Sequence, residues 1–156
     1  MSRAHIILLV PIVLSGFIHI WNPIGFPTAH NDEDAHYIPR ALMFMQYGDP
    51  QKQNPGFYDH PFFGQILLGT LFKLIGYPDM YVDNSDVKSI HSLYMVPRII
   101  MGLFAVLDTF IVYTIASVCY GRKVAFISSI LFAVMPITWL LRWVLLDNVL
   151  LPFLLS

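Results

Sequence analysis

The stretch "LYMVPRIIMGLFAVLDTFIVYTIASVCYGRKVAFISSILFAVMPITWLL", residues 93 to 141, decides how the whole chain is read. Two apolar runs, 93 to 118 and 124 to 141, are separated by "CYGRK", which holds Gly121 and two adjacent cations, Arg122 and Lys123. An apolar helix needs about 20 residues to cross a bilayer, and short loops rich in Lys and Arg stay cytoplasmic. The stretch therefore predicts a pair of antiparallel transmembrane helices with their tight turn inside. Composition points the same way: 56% of residues are hydrophobic and 12% are charged, too few charges to clothe a soluble domain.

Working outward from this pair, "MSRAHIILLVPIVLSGFIHIWNPIG" has one early Arg3 and then an apolar run that predicts a first span over about residues 5 to 24. A cleaved signal peptide is the rival reading, but "WNPIGFPTAH" offers only a weak small-x-small cleavage site. On the other side, a fourth apolar run, 144 to 156, reaches Ser156 without a polar flank, so an incomplete helix is expected there. The expected fold is an all-α polytopic membrane protein, with the N-terminus cytoplasmic and residues 26 to 92 forming a long extracytoplasmic loop. Trp21, Trp139 and Trp143 fall at the predicted outer ends of spans one and three, where indoles favour the headgroup layer.

Within the loop, Ile38, Ala41, Leu42 and Met45 recur at i, i+3, i+4 and i+7, with Pro39 in the first turn and Gly48 as a stop. A second run, "FFGQILLGTLFKLIGYP", lies between Pro61 and Pro78 and is short for a span. Both predict amphipathic helices in the membrane interface. If the second one crossed, every later segment would invert. "DMYVDNSDVK" reads as a solvated polar loop.

A formal charge of −1 without a basic run excludes nucleic-acid binding. Cys119 is alone in an apolar run and supports neither a disulfide nor a cysteine metal site. A transporter would carry acids and broken helices at the bilayer midplane, and only Asp108 fits that pattern. An intramembrane carboxylate is costly; here a structural role beside Thr109 and Tyr113 is expected.

The chemistry-bearing residues are acids at the predicted outer surface. Asp32, Glu33 and Asp34 follow span one, while Asp147, with Arg142 before it, lies between spans three and four. Crossing number puts both groups on one face, where carboxylates can serve as general base or cation ligand. A solvated loop plus a helix-capping Asp147 is the bland alternative.

The segments "EDAHYIPRA", "YDHPFFGQ", "VPRIIMGLFAVLDTFIVYTIASVCYG" and "LLRWVLLDNVLLPF", in this order, resemble the N-terminal third of the GT-C glycosyltransferases that use polyprenyl-phosphate sugars. Protein O-mannosyltransferases and lipid A aminoarabinose transferases are the members most similar. That resemblance implies transfer of a sugar from a polyprenyl or dolichyl phosphate to a hydroxyl of a protein or lipid, with inversion. It implies a first-loop acid, Glu33, Asp34 or Asp32, as general base.

It further implies substrate contacts by His36, Tyr37, Asp59, His60, Arg98, Arg142 and Asp147, with Arg40 a further cation for the leaving phosphate. His60 can equally pair beside Asp59, and Arg98 can snorkel to headgroups. The chain departs from the family in two places. The Asp-Glu pair is reversed as Glu33-Asp34, or else displaced by one residue as Asp32-Glu33, and Phe62 replaces a proline of the His-Pro-Pro-x-Gly segment. Asp32-x-Asp34 also matches the Asp-x-Asp that oligosaccharyltransferase subunits use on a divalent ion, so metal dependence stays open. Implied partners are the lipid-linked donor, the acceptor, membrane lipids and a membrane-protein complex. A non-catalytic subunit that retains the module is the alternative.

Overall fold

The computed structural model describes residues 3–23, 36–52, 62–77 and 87–156, with side chains 3–6, 87–93, 142 and 146 outside that description. Among the described residues the chain is all-helical. Its elements are α1 (Arg3–Ile20), α2 (Ile38–Tyr47), α3 (Phe63–Leu74), α4 (Val87–Tyr120), α5 (Arg122–Val134), a 3-10 helix (Pro136–Arg142) and α6 (Leu146–Leu155).

α4 is the spine. Its segment Tyr94–Tyr120 is the one described helix long and apolar enough to cross a membrane; Ile7–Ile20 and Phe63–Leu74 are shorter apolar helices. The helix begins at Val87, so the end of the polar loop read at 79 to 88 belongs to its first turn.

α1 runs antiparallel to α4. Ser15 meets Ala105 and Thr109, and Gly102 lies against the His19 carbonyl. α5 returns along both after a turn centred on Gly121, whose φ of 85° and ψ of 169° suit a residue without Cβ. Ala125, Ser129 and Ala133, one per turn, are buried and let α5 approach closely.

The span expected over 124 to 141 does not form as one helix. α5 stops at Val134, Met135 is extended at ψ 133°, and Pro136 starts the 3-10 helix. Proline has no N–H to donate and disfavours a helical residue before it, so an apolar run of span length is broken in two. The run from 144 is likewise shorter in helix, because Leu145 is extended at ψ 153° and α6 starts only after it.

α2 is the helix expected from the loop periodicity. It buries Ile38, Ala41 and Leu42, has proline in its first turn, and stops at Gly48, whose left-handed backbone (φ 71°) lets its N–H bond the Phe44 carbonyl at 2.8 Å. α3 packs beside it, and a Cβ at Gly69 would collide with the Ala41 carbonyl. Both sit at one end of the α1–α4–α5 bundle. There Tyr37, Ile38, Leu42, Leu68 and Phe72 form one apolar cluster with Met101 of α4 and with Val144 and Val149 around the start of α6.

Candidate functional site

That end of the bundle holds the candidate site residues from the sequence whose side chains are described: His36, Tyr37, Arg40, Arg98 and Asp147. The backbone at His36 and Tyr37 winds as a wider π-type turn into α2, with Tyr37 buried and His36 half-buried. Tyr37, Gly64, Gln65, Leu68, Met101 and Val144 line a crevice, which Leu145 and Val149 complete. Its volume of about 10 Å3 is the space of about one water molecule. The crevice is thus a packed floor rather than a substrate chamber. Each of the four quoted motifs supplies part of it: Tyr37 from the first, Gly64 and Gln65 from the second, Met101 from the third, Val144, Leu145 and Val149 from the fourth.

Two guanidinium groups are buried at this end. Arg98 is 1% exposed, donates from Nη1 to the Pro23 carbonyl at 3.0 Å and lies 5.6 Å from the centre of the Tyr94 ring. It does not snorkel. Arg40, 5% exposed, lies 5.7 Å from the Phe62 ring. Both remain cationic, since guanidinium does not lose its proton in proteins, and the aromatic faces offset part of their desolvation. Phe62 thereby has a physical role as the ring beneath Arg40.

Asp147 is exposed in the first turn of α6, where the helix dipole favours a carboxylate. It is not the cap: Leu145 holds that position without a side-chain bond. Its neighbour Asn148 is buried and donates from Nδ2 to the Trp143 carbonyl, which ties the start of α6 to the end of the 3-10 helix. Arg142 closes that 3-10 helix, with its side chain outside the description. Asp32, Glu33, Asp34, Asp59 and His60 lie outside the described residues. Tyr37, three residues after Asp34, shares the crevice with Leu145 and Val149, which flank Asp147.

Sequence reasoning missed a buried polar chain that braces this end. Thr109 donates to Ser15 Oγ at 2.8 Å, Ser15 Oγ lies 3.3 Å from His19 Nδ1, and His19 Nε2 lies 3.1 Å from the Thr138 carbonyl. His19 Nδ1 also lies 2.9 Å from the Ser15 carbonyl, so the ring faces a carbonyl acceptor at each nitrogen, and a neutral imidazole donates to one of them at a time. The chain fixes α1 to α4 and to the 3-10 helix, so Trp21 and Trp139 stand at the same end of the bundle. Ser15 and His19 at i and i+4 in an apolar helix were the available signal.

Thr109 is therefore committed to α1 rather than to its neighbour Asp108. Asp108 is fully buried, and neither carboxyl oxygen has a hydrogen-bond partner among the described residues. Among these residues no group of three or more His, Cys, Asp or Glu is placed to hold a metal ion. No family model, curated protein or solved structure matches the chain.

Proposed function

We propose that the chain is the N-terminal module of a multi-pass membrane glycosyltransferase. In this reading it moves a sugar from a polyprenyl or dolichyl phosphate to a hydroxyl acceptor on the extracytoplasmic side. The observation that carries the reading is the meeting of four motif segments, spread from Tyr37 to Val149, on one crevice at one end of the bundle.

The chemistry then divides among the chain's own groups. The acids at 32 to 34 come shortly before the π-type turn at His36 and Tyr37 in the sequence, a backbone form frequent at functional sites. One of them takes the acceptor hydroxyl's proton as the hydroxyl oxygen attacks the anomeric carbon. The bond from that carbon to the lipid phosphate breaks, and the phosphate leaves with the electron pair. Arg40 and Arg98 bring two permanent positive charges to this end, which favours the developing phosphate charge. Arg98 also ties the exit of α1 through Pro23, at the start of the segment that bears the acids. Asp147 reaches solvent beside the same floor and is the second acid available to the acceptor or to an ion.

The test uses the full-length enzyme with Asp32→Asn, Glu33→Gln and Asp34→Asn made singly and together. General-base loss lowers turnover by about 10² or more at saturating donor, with a smaller change in apparent donor KM. Near-complete transfer by all four variants defeats the assignment and favours a non-catalytic subunit. Recovery of Asp32→Asn alone by added divalent cation would instead assign the Asp-x-Asp to an ion, because mass action refills a weakened site but cannot replace a base.

A further inference from the structure

The opposite end of the bundle holds a second amphipathic site. Ile7 of α1, Phe126 of α5 and the two basic residues Arg122 and Lys123 line a cavity of about 170 Å3. Both basic side chains are exposed, and neither makes a hydrogen bond or ion pair within the described residues. Among the described residues no acid lines the cavity. The space is an open groove, with hydrocarbon at Ile7 and Phe126 and charge at its rim. The walls at Ile7 and Phe126 thus suit hydrocarbon, while the rim demands an anion.

Position selects among anions. Arg122 comes two residues after the helix Tyr94–Tyr120, which is long and apolar enough to cross a membrane, and if that helix crosses, the rim stands where hydrocarbon gives way to headgroups. A neutral lipid would satisfy only the walls and a free phosphate only the rim. We propose that this end binds an anionic phospholipid, with its phosphate on Arg122 and Lys123 and the first methylenes of an acyl chain against Ile7 and Phe126. The site lies at the other end of the bundle from the motif crevice and does not depend on the transferase reading.

The experiment titrates the purified full chain, in neutral detergent, with phosphatidylglycerol and with phosphatidylcholine, and counts bound lipid by native mass spectrometry. Each basic residue near an anionic headgroup gives about a fivefold gain, so the expected preference for phosphatidylglycerol is about 25-fold. R122Q/K123Q should reduce it to within about threefold while leaving helical content unchanged by circular dichroism. K52Q/K73Q, which removes two exposed cations elsewhere, should retain it. Phe126→Ala should weaken phosphatidylglycerol binding but not that of glycerol phosphate. Equal affinity for the two lipids, a preference undiminished in R122Q/K123Q, or displacement of the lipid by inorganic phosphate at the same concentration would overturn the proposal.

Discussion

Gly102 is a point of close approach between α1 and α4. A Cβ there would lie 2.9 Å from the His19 carbonyl oxygen and 2.8 Å from Ile20 Cγ1, and the backbone oxygen cannot yield without moving α1. Gly102→Ala should therefore destabilise by about 1–3 kcal/mol, the usual range for overpacking, read as a lower unfolding midpoint in micelles. Asp108 poses the opposite case. Its two carboxyl oxygens are buried without partners among the described residues, so Asp108→Val, which removes the unsatisfied group and keeps a similar shape, should stabilise by about 1–3 kcal/mol. A lower midpoint in that variant would show that the carboxyl has a partner worth more than its burial. On the proposed transferase reading, Glu33→Gln and Asp34→Asn should each show the hundredfold loss of turnover argued above.

At the scale of elements, two glycines end or join helices by backbone conformations of different severity. Gly48 is left-handed with ψ 6°, which an L-residue adopts at about 1 kcal/mol. Gly121, at φ 85° and ψ 169°, occupies a region that essentially only glycine enters, at about 1–3 kcal/mol for any other residue. Gly121→Ala should accordingly lower the unfolding midpoint more than Gly48→Ala does, and the reverse order would show that the α4–α5 turn relaxes. The 3-10 helix is the other decisive element. By ending α5 at Val134, before Pro136, the chain brings the Thr138 carbonyl to His19 and frees the following residues to turn into α6. Without the break, Val144 and Val149 would be carried past the α2–α3 cluster that they help close.

For the molecule as a whole, the bundle has two unlike ends. One carries α2, α3, the 3-10 helix and α6 with the buried Arg40 and Arg98; the other carries the exposed Arg122 and Lys123. Short basic turns favour the cytoplasm, which orients the molecule if α4 crosses the membrane. A cysteine at Asn84, in a background with the exposed Cys119 replaced, should react with an impermeant maleimide in intact cells. A cysteine at Lys123 should react only after permeabilisation. The inverse pattern would overturn the orientation and point to α3 as a further crossing.

The sequence by itself determined the features that one or two turns of backbone encode. The period of Ile38, Ala41, Leu42 and Met45 specified α2, Gly48 specified its end, and the apolar run after Pro97 specified the long helix, because propensity, capping and one-face burial are local. Pro136 was equally legible, yet run length outweighed it in the reading of 124 to 141, and the structure restored its weight. Part of the candidate site was legible as motifs, and crossing number placed the acids of the first loop and Asp147 on one face, but the side-chain packing that joins the motifs was not legible. The chain from Thr109 through Ser15 and His19 to the Thr138 carbonyl joins positions 94 and 119 residues apart, and Met101 meets Tyr37 and Val149 on one crevice. Such meetings depend on how helix surfaces fit across the bundle, with Gly102 against a carbonyl and Ala125, Ser129 and Ala133 opening a close approach. No spacing within a single helix carries that information, so only the tertiary structure decided it.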